Sequence, residues 1–284
     1  MSNIVVAMST PEITLQPEPQ TAAIGPSARL TRALKQGLLD AWDKLGLVVG
    51  MSLTGTLVVL LALSFERLVP RSLPFIVHLG VVMGTITLLL PLPLAGSFHI
   101  AHLIATRDEI SYLTFWQTGL HLYRKALALL ATDFLVLGGL GINLWFYTRF
   151  GNLLGLCALL LCIYLLLFWC LMAQYHFPLL IAQEAGVFDT PDVRARRGTF
   201  AIVRRSFFLT LGRPFYAVGL LVIVLPLLVV CVLSGVLLAL IGFGLLALLL
   251  THSTRALLLQ FGVIPPPPPP EEVIPDLKFR IKGV

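Results

Sequence analysis

Charge is scarce in this chain. Asp, Glu, Lys and Arg make up 12% of its 284 residues, about half the ~25% usual in globular domains. That leaves too little polar surface to coat a water-soluble particle. Catalytic signatures are missing as well: there is no HExxH, no paired carboxylate and no Gly-rich phosphate loop, so no defined reaction is indicated. The four cysteines, Cys157, Cys162, Cys170 and Cys231, all fall inside apolar runs. None forms a CxxC pair or has a His at ligand spacing, so they read as small buried hydrophobes, and no metal or cofactor is expected. The first 26 residues hold no Lys or Arg, and their longest apolar run is Ile4–Met8. No cleavable signal peptide is expected there, and targeting falls to the first apolar span.

Hydrophobic residues account for 57% of the chain, with a mean hydropathy of +0.92. The expected solvent is therefore partly lipid, and the expected fold an all-α, polytopic transmembrane helical bundle. Apolar stretches place spans at 46–65, 75–98, 126–147 and 153–182. The second carries Pro91 and Pro93, the third one acid, Asp133, and the fourth is interrupted by Pro178. Phe215–Leu250 then runs without a charge, too long for one upright helix across a ~30 Å core. Ser234-Gly235 is a turn signal that divides it into spans at 215–233 and 236–253. With six spans and both termini cytoplasmic, seventeen of the twenty basic residues lie inside, whereas five spans would leave thirteen. The positive-inside rule selects six. The outer loops are then about ten, five and two residues, too short for an external domain.

This divides the chain into a disordered tail (1–26), a membrane domain (27–262) and a polyproline spacer with a C-terminal tail (263–284). Six prolines in PPII geometry would extend ~19 Å. Three inner segments read as short amphipathic interfacial helices. One precedes span one, with Leu30, Ala33, Leu34, Leu38 and Ala41 at helical spacing between Arg29, Arg32, Lys35 and Lys44. A second follows Thr106-Arg107-Asp108-Glu109, which has capping-box spacing. A third runs over 193–212 after the start signal Thr190-Pro191-Asp192. This third segment mixes Arg194, Arg196, Arg197, Arg204 and Arg205 with Phe200, Phe207 and Phe208. Its arginines suit anionic lipid headgroups, at about 1 kcal/mol each, or a partner docked by the helix-in-groove mode. No nucleic-acid fold surrounds them, so nucleic acid is not an expected partner.

Ionisable groups inside spans are costly and mark candidate sites. Asp133, His99, His102, Gln174 and His176 all fall near the inner rim and form one candidate polar cluster, with the carboxylate as a proton or cation site and the histidines as relays or ligands. The plainer alternative is that Asp133 bonds Thr132, Asn143 or neighbouring backbone while the histidines stand apart. Gly46-xxx-Gly50 and Gly80-xxx-Gly84 match the close-approach pattern and are expected to pack helices within the monomer.

Several segments together resemble the YesL-like family of six-span bacterial membrane proteins. They are LLLPLPLAG (88–96), FWQTGLHLYRKALALL (115–130), QYHFPLLIAQE (174–184) and IGFGLLALL (241–249). The resemblance covers roughly 27–262 and departs from the family in the Pro/Glu-rich C-terminal tail. It implies a bacterial inner-membrane protein accessory to a transport system, with a lean toward carbohydrate uptake, and supplies no catalytic residues. The expectation is a non-enzymatic integral membrane protein acting through a cytoplasm-facing basic and aromatic surface, with the lipid bilayer and a transport component as partners. The alternative is a small proton- or cation-coupled transporter or channel built on the Asp/His cluster.

Overall fold

The computed structural model describes residues 26–70, 72, 74–108, 110–150, 152–188 and 198–264. Among these residues there are helices and no strands, an all-α polytopic bundle. The helices are α1 (Pro26–Asp43), α2 (Leu45–Glu66), α3 (Phe75–Leu89), α4 (Pro91–Thr106), α5 (Tyr112–Tyr147), α6 (Leu153–Glu184), α7 (Thr199–Gly212) and α8 (Pro214–Ser234). A π-helical segment, Leu238–Gly242, then leads into α9 (Phe243–Gln260).

Five helices are long and apolar enough to cross a bilayer: Leu45–Phe65, Tyr112–Tyr147, Leu153–Glu184, Pro214–Ser234 and Leu238–Gln260. A sixth crossing exists if α3 and α4, bent by 41° at their junction, count as one. The bend has a covalent cause. Pro91 and Pro93 have no amide N–H to give to the Thr87 and Leu89 carbonyls one turn back; beside these, the Tyr123 hydroxyl donates to the Leu88 carbonyl at 2.8 Å. The long apolar run after Phe215 does turn at Gly235, whose φ of +58° is in the region that favours glycine.

Three expectations about elements are corrected. Residues 112–125 are no separate surface helix; they begin the 36-residue α5, which runs unbroken into the third apolar span. Its N-cap is Ser111, whose side chain accepts from the Leu113 amide at 3.3 Å. Thr106 ends α4, and Arg107, at φ +61°, stops it; Glu109, the other half of the expected capping box, lies outside the described residues. Pro178 does not interrupt α6 either, since the helix continues through it to Glu184. The third amphipathic helix starts at Thr199, and Thr190–Asp192, like the two tails, lies outside the described residues.

The core sits at one end of the bundle, where α4, the first half of α5, the last third of α6 and most of α9 converge. Ile100, Phe115, Leu122, Leu129, Tyr175, Leu180 and Leu248 are fully or almost fully buried there. Close crossings rest on glycines other than those singled out by spacing. A Cβ at Gly96 would stand 2.8 Å from the Phe115 carbonyl, and one at Gly119 2.7 Å from that of Leu92. A Cβ at Gly244 would stand 2.7 Å from the Val48 carbonyl, and the Ser52 hydroxyl accepts from the Gly244 amide at 3.0 Å. By contrast, among the described residues nothing lies within 4 Å of a Cβ at Gly46, Gly80 or Gly84, so no close crossing there rests on these three; a Cβ at Gly50 would stand 3.2 Å from the Tyr112 ring.

α1 is more than a surface float. Leu30, Ala33, Gly37 and Ala41 are its buried stripe, and they face α8 and α9. Leu30 touches the Gly219 position, Gly37 lies against Leu249, and His252 Nε2 lies 2.9 Å from Asp40 Oδ2. That approach is within ion-pair distance.

Candidate functional site

The candidate site is built on α6, whose residues 169 and 176 are seven apart and therefore lie on one face. Both reach Asp133 of α5. Trp169 Nε1 donates to Asp133 Oδ1 at 3.1 Å, and His176 Nδ1 stands 2.9 Å from the same oxygen. The two rings meet edge to face at 5.8 Å. On its other side the imidazole meets α7, with Nε2 3.0 Å from Ser206 Oγ. Ser206 is placed there by the buried stripe of α7, Ile202, Ser206 and Thr210, which recurs every four residues against the rest of the bundle. One continuous polar chain thus ties three helices: Trp169 and Asp133, then His176, then Ser206.

With Asp133 taken as the carboxylate, counting protons in this chain gives it two states. The Ser206 hydroxyl also lies 2.8 Å from the Val203 carbonyl, the bond a helical serine makes by default. If Ser206 donates there, Nε2 must donate to Ser206, and the ring is an imidazolium beside the carboxylate. If Ser206 donates to Nε2 instead, the ring is neutral with its proton on Nδ1. The same heavy-atom geometry therefore accepts either protonation state, because a hydroxyl can turn. The order Asp–His–Ser is also that of a hydrolytic triad. His176 and Ser206 are both 0% exposed, however, so a substrate would have no way to reach the hydroxyl.

The five-residue polar cluster does not form as one set. Asp133 and His176 meet. Gln174 points elsewhere: its Nε2 donates to the Leu171 and Ala217 carbonyls, both at 3.0 Å, which joins α6 to α8. His99 and His102 belong to α4, where His102 lines a cavity of about 10 Å³ with Pro178, Thr251, Thr254 and Arg255. That is room for about one water. Thr132 and Asn143 bond their own helix, at the Ala128 and Gly139 carbonyls, and not Asp133. Among the described residues, no three His, Cys, Asp or Glu side chains converge as a metal would require.

At the basic end, two further contacts close the site. Lys125 Nζ pairs with Glu184 Oε1 at 2.6 Å, joining α5 to α6. Arg205 Nη1 donates to Gln183 Oε1 at 2.8 Å and lies 4.2 Å over the Phe188 ring. Partial burial lowers its pKa from the usual arginine value, which still leaves it charged at neutral pH. Arg204 behaves differently, resting over Phe208 at 5.7 Å. Arg194, Arg196 and Arg197 lie outside the described residues. Spacing gave no hint of Ser206, Trp169, Lys125 or Glu184. Only the arrival of a helix face beside Asp133 identifies them.

No family model, no curated protein and no solved structure matches the chain.

Proposed function

We propose that this is a non-enzymatic integral membrane protein of a bacterial inner membrane, accessory to a transport system that it meets through the basic, aromatic outer face of α7. One observation carries this reading. α7 is too short and too polar to count among the spans, yet it leaves Phe200 80%, Phe208 55% and Leu211 60% exposed, with Arg204 laid over Phe208. A helix end carrying exposed aromatics and a guanidinium is the usual composition of an interface core. The complete burial of His176 and Ser206 supports a structural role for the Asp–His–Ser chain over a nucleophilic one. The resemblance of its short motifs to the YesL-like family supports a transport partner, with a lean toward carbohydrate uptake.

The test is a photoreactive residue at position 200, activated in native membranes. The reading expects a cross-link to a component of a transport assembly, lost when Phe208 and Leu211 become Ser and Arg204 becomes Gln. Cross-links to lipid alone would remove the docking role. A second reading, a proton- or cation-coupled transporter, is favoured by the two protonation states that the Asp133–His176–Ser206 chain allows. It requires pH-dependent flux in liposomes that Asp133→Asn abolishes, and absence of flux from the wild type ends it.

A further inference from the structure

Near the ends of α4 and α9, the water-sized cavity beside His102 is walled by three helices. Thr251, Arg255 and Leu258 lie on one face of α9, spaced by four and three. Pro178 and Ala182, four apart on α6, supply an apolar wall, and His102 comes from α4. The cavity is only partly enclosed. Arg255 lies five residues before the end of α9 and His102 four before the end of α4. Both therefore stand within about 8 Å of a helix end, and an ion from water reaches them without crossing hydrocarbon.

The polar groups around this space are short of acceptors. Thr254 spends its hydroxyl on the Leu250 carbonyl at 2.8 Å. The Thr251 hydroxyl has no partner, although the residue is only 5% exposed. A buried hydroxyl left unpaired is rare and points to a bound water or ion. Arg255 is half-buried, and among the described residues its guanidinium makes no hydrogen bond or ion pair. Its charge acts over a longer range on the imidazoles of His102 and His252 and on Asp108. The two carboxylates in this region are engaged elsewhere and do not line the cavity. Asp108 takes the Thr106 hydroxyl, and Asp40 stands against His252.

We propose that this cavity is a halide site, with the ion held by the Arg255 guanidinium and the Thr251 hydroxyl and His102 as a third donor. Water would satisfy the hydroxyl but leave the guanidinium with no counter-ion in contact. An anion serves both, and His102 keeps an N–H to offer in either tautomer. The space admits one body close to water in size, which selects a halide over phosphate or sulfate. Once bound, the ion joins α4 to α9 beside the apolar wall of α6. This site goes beyond the docking face of α7, and either stands without the other.

The test titrates the full chain in detergent with chloride at constant ionic strength, replacing gluconate, which is far larger than the cavity. The chloride NMR linewidth reads binding, and thermal unfolding reads its effect on the fold. The proposal expects saturable broadening and a rise in unfolding temperature that follow one binding curve. Bromide should displace the chloride, and inorganic phosphate should not. Thr251→Val keeps the side-chain shape but removes a hydrogen bond to a charged ligand, and it should weaken chloride binding about tenfold. Arg255→Gln should abolish it. Both variants should unfold close to the wild type in gluconate, since neither side chain gives up a protein partner. A large loss of stability there would reveal such a partner and overturn the proposal. So would a wild type that broadens no chloride, broadening that phosphate removes, or broadening that Thr251→Val leaves unchanged.

Discussion

Asp133 shows how much one residue reveals through its sequence neighbours alone. A carboxylate within an apolar run demands a partner, because burying it alone costs several kcal/mol. The sequence therefore exposes the need, and a histidine on the next span is a natural candidate to meet it. What stays hidden is the rest of the chain of bonds. Trp169 reads as one more aromatic in an apolar run, and Ser206 as a small polar residue in an amphipathic helix. Neither carries a signal until helix packing brings it to the imidazole. If the four residues form one network, they fail together. Asp133→Ala leaves the Trp169 and His176 N–H groups without an acceptor and should cost on the order of 3 kcal/mol. Ser206→Ala removes one neutral bond and should cost about 1 kcal/mol. Thermal unfolding in detergent should show the double variant departing from the sum by at least about 0.5 kcal/mol; strict additivity would mean two independent contacts.

At the scale of elements, the helices themselves were legible and their seams were not. Apolar length located the crossings of α2, α6 and α8 to within about two residues, since that length is set by the bilayer and needs no knowledge of neighbours. It missed the start of α5 at Tyr112 and the ends of α4 at Thr106 and α9 at Gln260, where the helices run on past the apolar stretch. Close approach depends on which faces meet, and glycine spacing within one helix does not encode that. Gly96 and Gly119 illustrate the point: they sit on different helices at positions that no intrahelical pattern links, yet each faces the other helix's backbone. Gly→Ala inside a helix ordinarily gains about 1 kcal/mol of propensity. Gly80→Ala and Gly84→Ala should therefore be neutral or mildly stabilising, while Gly119→Ala should lower the unfolding temperature because its Cβ would meet the Leu92 carbonyl. A Gly119→Ala variant as stable as the wild type would mean that α4 and α5 do not cross this closely. The tie of α1 to α9 can be tested in the same way. Asp40→Ala removes the charge beside His252, and loosening α1 by about 1 kcal/mol should speed tryptic cleavage at Arg32 and Lys35 roughly fivefold.

At the scale of the whole molecule, stability and charge gather at the same end. The buried network, the Lys125–Glu184 pair and the Arg205–Gln183 bond lie beside the densest core, while the far halves of α5 and α6 leave Leu135, Ile142, Leu153 and Leu154 more than two-thirds exposed. That exposure suits lipid, which takes the place of protein packing around a long hairpin. Which side this end faces turns on one element, the bent pair of α3 and α4. If the pair crosses the bilayer, the connectors at Arg107 and Gly198 face the same compartment as Lys44, and positive charge collects on one side as insertion prefers. If it dips and returns, both connectors move to the opposite compartment and the basic residues divide between the two sides. A chain with its four cysteines replaced by Ala, carrying Arg107→Cys, Gly198→Cys or Asn152→Cys one at a time, separates the two cases. In sealed vesicles of known orientation, an impermeant thiol reagent applied from the side opposite to Lys44 should label position 152 alone. Labelling of 107 and 198 from that side, with 152 protected, would make the pair re-entrant, reduce the crossings to five, and put the exposed face of α7 in the compartment opposite to the one its arginines require.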